Sequence, residues 1–84
     1  MIKVVVAVKD RLTGYKSLML EDNENVAKRQ FKLALRQTLH IDKSDFELVS
    51  LGSFDTDTGK FQLLETSVLL MTGNEVESNV SNAV

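Results

Sequence analysis

The chain has no cysteine, which excludes disulfides and thiolate metal sites and gives no sign of an oxidising compartment. It has no long apolar run. Residues 4–8 and 68–71, the longest, fall far short of the roughly 20 residues that cross a bilayer. Residues 1–3 lead straight into a strand-like run with no small-residue cleavage site, so a secretory signal is not expected. No membrane association is expected, and the protein is expected to stay in a cytoplasm. The single histidine, His40, has no Cys, Ser or carboxylate at a catalytic spacing and reads as a surface residue at a helix end. A glycine-rich phosphate loop, a nucleophile elbow and an HExxH metal motif are all missing. No enzymatic activity, cofactor or metal is therefore expected.

What is present suits one small domain of 84 residues, with 43% hydrophobic and 26% charged side chains. A chain this short buries only ~60–70% of its unfolded surface, so sharing a core between two copies would help it. Residues 2–9 are rich in β-branched side chains, with Ile2, Val4, Val6 and Val8 on one face and Lys3, Val5, Ala7 and Lys9 on the other. Turn residues 10–14 lead to a second strand at 15–20, where Lys16, Leu18 and Leu20 alternate with Tyr15, Ser17 and Met19. Asp22 or Asn23 can cap a helix, and Glu24 suits its positive end. The helix runs to about Thr38, with a core stripe of Ala27, Phe31, Ala34 and Leu35 widened by Val26, Leu33 and Leu39. A third strand follows at 46–54, with Val49 and Leu51 on one face and Phe46, Leu48 and Phe54 on the other. Gly52 marks a bulge or a close backbone approach. A fourth strand begins at 61–64, and 67–71 is a further short apolar run.

The expected fold class is α+β. About four antiparallel strands in the order β-β-α-β-β form a sheet, with one helix packed on one face. The other face is not fully polar, because Val5, Ala7 and one face of the third strand are apolar. A homodimer that covers it is expected. The domain is expected to span residues 1–73, with a polar tail at 74–84. In that tail Val76, Val80 and Ala83 have helical spacing, but disorder is the expected state of such a terminus.

Four constellations could carry chemistry. Lys28, Lys32 and Arg36 lie at i, i+4 and i+8, with Arg29 beside Lys28. No Asp or Glu lies between Asn25 and Ile41 to offset these four positive charges. Two readings stay open: a solvated face answered by acids elsewhere, such as Glu47 or Glu65, or a strip that binds phosphates. Lys9, Arg11 and Lys16 surround the first hairpin turn. They either blunt that edge or extend the strip, if the tip folds beside the helix. Tyr15, Phe54 and Phe61 are the aromatic set. Phe54 and Phe61 flank a turn and are expected to pair across it, while Tyr15, next to Lys16, is the best candidate to stack on a base. Asp55-Thr56-Asp57-Thr58-Gly59 opens like a calcium loop, but Lys60 stands where the loop glycine belongs and Thr66 replaces its final Glu. Asp and Thr here instead bond the turn backbone, with Gly59 at positive φ.

Residues 45–64, DFELVSLGSFDTDTGKFQLL, form two apolar runs joined by a polar turn and read as a β-hairpin. The pattern Leu51-Gly52-x-Phe54-Asp55-x-x-Thr58-Gly59-Lys60-Phe61 resembles a stretch of the small nonstructural protein of gokushovirus-type microviruses, phages with single-stranded DNA genomes. The resemblance implies a role in phage DNA replication, in DNA binding, or at the switch from duplex replication to packaging, within the bacterial host cytoplasm. The shared motif is structural and brings no functional residue with it. Two functions follow as expectations. One is a nonenzymatic accessory protein that binds single-stranded DNA through Lys28, Arg29, Lys32 and Arg36, helped by Lys9, Arg11, Lys16 and Tyr15. The other is an interaction module for a phage or host replication or capsid protein that does not touch DNA. The net charge of −2 argues against bulk coating of a genome.

Overall fold

A computed structural model describes residues 1–38 and 42–76. Strands β1 (Ile2–Asp10), β2 (Gly14–Glu21), β3 (Phe46–Asp55) and β4 (Phe61–Thr72) form one sheet, with helix α1 (Glu24–Gln37) and a 3₁₀ turn (Lys43–Asp45) between β2 and β3. The spatial order is β2-β1-β3-β4, and every neighbouring pair is antiparallel. The α+β class and the β-β-α-β-β order follow the sequence expectation. The run at 61–64 and the further apolar run at 67–71 belong to one continuous strand.

Local chemistry fixes α1. The Asn23 side chain accepts the Val26 N–H at 2.9 Å, which makes Asn23 the N-cap. Glu24 in the first turn and Arg36 in the last both suit the helix dipole. At the far end Thr38 is extended. Its N–H reaches the Leu35 carbonyl and its hydroxyl reaches that of Ala34, which closes the helix. The core stripe is narrower than its spacing suggests. Ala27, Phe31 and Leu35 are buried, but Ala34 and Leu33 face solvent, because one helix on one sheet offers a single line of contact. Leu39 and His40 lie outside the described residues.

The stripe packs on Val6, Leu48 and Met71, flanked by Val4, Val8, Met19, Phe46 and Leu70. Val76 joins the same cluster and is fully buried. Thr72 donates its N–H to the Glu75 carboxylate at 2.7 Å, and residues 73–76 are helical. A Thr at the cap with Glu three residues on satisfies a donor at the start of a helix. The ordered core thus continues past position 73, and the rest of the expected tail lies outside the described residues.

Four irregularities decide which side chains share a face, and one of them leaves Leu70 as an extra residue of β4 between Leu69 and Met71, the partners of Val49 and Leu48. In β3, Val5 and Val6 of β1 pair with Gly52 and Ser50, so Leu51 is an extra residue. The bulge turns Phe54 to the face opposite Leu48, which corrects the simple alternation expected there. In β2 an extra residue falls between Met19 and Lys16, where Ser17 takes φ +56. Met19 therefore faces the core, while Tyr15, Leu18 and Leu20 share the far side. In β4 four residues, 64–67, stand between the partners of Gly52 and Ser50. Gly52 serves as a close approach as well as a bulge: a Cβ there would lie 2.2 Å from the Gln62 carbonyl oxygen.

Glycine is also required at Gly73, where a Cβ would fall 1.5 Å from the Lys43 carbonyl oxygen. Gly73→Ala is expected to cost about 1–3 kcal/mol of stability through this backbone overlap. Urea unfolding measures it, and an unchanged midpoint would contradict the packing of the 3₁₀ turn against the end of β4.

Candidate nucleic-acid interface

Lys28, Lys32 and Arg36 follow one another down a flank of α1, one turn apart, with Arg29 beside them. Arg29 and Arg36 are exposed, whereas Lys28 and Lys32 are half-buried along their stems. Among the described residues none of the four has a carboxylate within ion-pair distance. The ion pairs between side chains join other groups: Lys3 with Asp22, Arg11 with Asp45 at 2.8 Å, and Lys16 with Asp10 at 3.6 Å. Like charges at i, i+4 repel by a few tenths of a kcal/mol each. Glu24, four positions before Lys28, is the one carboxylate on α1; beyond it nothing on the helix offsets the repulsion, and the flank presents a row of positive charge to solvent.

The other sequence-chosen residues do not join this row. Arg11 and Lys16 already bind carboxylates at the β1–β2 turn. Lys9 and Tyr15 are register partners, and Lys9 Nζ lies 5.5 Å from the Tyr15 ring centroid. Val4, Val6 and Val8 point toward α1, so Lys9 and Tyr15 stand on the opposite face of the sheet. The expected site thus divides into a helix flank and a separate aromatic–cation pair behind the sheet. Phe54 and Phe61 pair across the β3–β4 turn as expected, with centroids 4.6 Å apart, and they too lie on the far face.

That far face holds what the sequence reading missed. Tyr15 on one edge strand touches Ser67 on the other, with 3.4 Å between hydroxyl oxygens. In a flat sheet those edges would stand about 14 Å apart, so the sheet curls over its far face. Among the described residues no second layer covers this face, and the curl itself buries Val5, Ala7 and Val49. Around them Leu18, Leu20, Leu63 and Leu69 remain exposed. Alternation could not reveal this set, because Ser17 at the β2 bulge carries none of the Gly or Asn preference that usually announces a positive φ.

The β3–β4 turn is held by its own side chains. Asp55 accepts the Asp57 N–H at 2.9 Å, Gly59 donates to the Asp55 carbonyl at 2.8 Å, and Gly59 has φ +76. Among the described residues no group of three or more His, Asp or Glu side chains is placed to hold a metal ion. None of the helices described is long and apolar enough to cross a membrane.

Three carboxylates are held below the usual range. For Asp10 the main cause is the Leu12 N–H, partly opposed by burial, with Thr13 and Lys16 adding to the lowering. Ser44 lowers Asp42, and the Asp57 N–H lowers Asp55. A lowered folded-state pKa gives stability that is complete above the unfolded value, about 4, and fades as pH falls through the folded one. Asp10→Asn is therefore expected to reduce the drop in urea midpoint between neutral pH and about pH 3. If the variant and the parent lose the same amount, Asp10 contributes nothing to acid sensitivity.

A family model described as phage ORF5 protein matches residues 3–76. Comparison with curated proteins gives no match, and comparison with solved structures gives none either.

Proposed function

We propose that this chain, which belongs to the phage ORF5 protein family, is a nonenzymatic DNA-binding accessory protein. On this reading it holds single-stranded DNA during phage genome replication, or at the switch to packaging, in the cytoplasm of the bacterial host. The observation that carries the reading is the cationic flank of α1, with four positive side chains and no ion-pair partner among the described residues. A strand laid along α1 would release condensed counterions and relieve the repulsion between neighbouring cations. The likeness of residues 51–61 to the gokushovirus nonstructural protein supports the choice of a single-stranded genome. The overall charge of −2 supports local engagement at one flank, not coating of a genome.

Lys9 and Tyr15 lie behind the sheet, so the flank works without them. Arg11 and Lys16 would first have to leave Asp45 and Asp10, whose carboxylates are largely buried. Lys28, Arg29, Lys32 and Arg36 are thus the primary contacts.

A second reading, an interaction module for a phage or host replication or capsid protein, is favoured by a different observation, the bare apolar face of the sheet. The two separate cleanly by fluorescence anisotropy with a single-stranded oligonucleotide. Four phosphate contacts give an expected slope of log affinity against log salt of about −3. Reversing charge in the double variant Lys32→Glu, Arg36→Glu should abolish binding while circular dichroism stays unchanged. A flat salt response, or full affinity in the folded variant, would refute the DNA reading.

A further inference from the structure

The face of the sheet opposite α1 carries Tyr15, Leu18, Leu20, Phe61, Leu63 and Leu69, each between 45% and 68% exposed. The strand register places five of them on one side, and Leu18 lines a recess on that side with Tyr15 and Ala7. Six large apolar side chains at this exposure make a patch on the scale of the roughly 300–600 Å² that the largest patch of an ordinary monomer reaches, a large share of the ~800 Å² per partner that a standard interface buries. Between Tyr15, Leu18 and Leu51 the face sinks into a recess of about 270 Å³ floored by Ala7. The recess has room for a large apolar side chain.

Charge on this face narrows the choice of occupant. Register places Lys3, Lys9 and Glu47 here. Lys3 is paired with Asp22, and Lys9 stands directly opposite Glu47. The positive and negative charges therefore balance, unlike the unpaired row on α1. A polyanion finds no free row of cations on this side. A second identical face meets no net repulsion, and its leucines match the apolar recess.

We propose that this face is the dimer interface: a second copy of the chain sets the same leucines and aromatic rings against it, and the two α1 helices point outward on opposite sides. Because the sheet curls over Val5, Ala7 and Val49, the partner meets the exposed side chains of β2 and β4 around them. The arrangement does not depend on DNA binding. It would give the assembly two separate cationic flanks and would leave Tyr15 at the interface, away from nucleic acid.

Sedimentation equilibrium at micromolar concentrations tests the proposal. The parent chain is expected at twice 9.4 kDa, and the double variant Leu18→Glu, Leu69→Glu at the mass of one chain with an unchanged circular dichroism spectrum. Leu33→Glu, on the exposed side of α1, serves as the control and should stay dimeric. A monomeric parent overturns the proposal whatever the variants do. So does a folded Leu18→Glu, Leu69→Glu variant that remains a dimer. Tyr15 is the only tyrosine and tryptophan is absent, so intrinsic emission reports on this face alone. Quenching of that emission by a single-stranded oligonucleotide in a monomeric sample would assign the face to nucleic acid instead.

Discussion

Phe31 joins the two layers. It is the largest side chain among the fully buried ones, and it reaches from the middle of α1 to the centre of the sheet at Val6, Leu48 and Met71. Loss of a buried Phe typically costs 3–5 kcal/mol, a large part of what so small a domain has in total. The contact also imposes a limit. Among the described residues, one 14-residue helix covers one face of a four-stranded sheet and no layer covers the other. The curl that brings Tyr15 to Ser67 closes over Val5, Ala7 and Val49 but not over the leucines around them. The molecule therefore has two unlike sides, a cationic helix flank and an apolar sheet face.

Much of this was legible in the sequence. The Asn23 cap, the stripe at 27, 31 and 35, the hairpin turn with Gly59 at positive φ and the Phe54–Phe61 pair all follow from local rules. Local rules fail where the register slips. A bulge adds one residue and moves every later side chain to the other face; Gly52 marks the one at Leu51, whereas the one at Ser17 leaves no clear trace in residue choice. The same slips moved Phe54 and Met19 and hid the cluster of exposed leucines. Strand order was invisible for a related reason. Hairpins specify neighbouring strands, but the pairing of β1 with β3 is a long-range contact that only the shared core selects.

The candidate site was partly legible as well. Helical periodicity alone gathers Lys28, Lys32 and Arg36 on one flank, because their spacing is internal to one element. Whether Lys9, Arg11, Lys16 and Tyr15 belong with them depends on how separate elements meet, and spacing along the chain does not encode that. Arg11 finds Asp45 across 34 positions, and Tyr15 turns away behind the sheet. Membership in the phage ORF5 protein family sets the biological context, and the charge pattern supports a polyanion as the ligand of the helix flank.

On the proposed reading the two sides have separate tasks: phosphate contact on α1 and self-association on the sheet. Mapping backbone amide shifts by NMR while a single-stranded oligonucleotide is added examines this most directly. The shifts are expected to concentrate on Lys28, Arg29, Lys32 and Arg36 and their neighbours, with the amides of Leu18, Leu63 and Leu69 unmoved. Shifts centred on Tyr15, Phe61 and Leu63, with α1 silent, would contradict it.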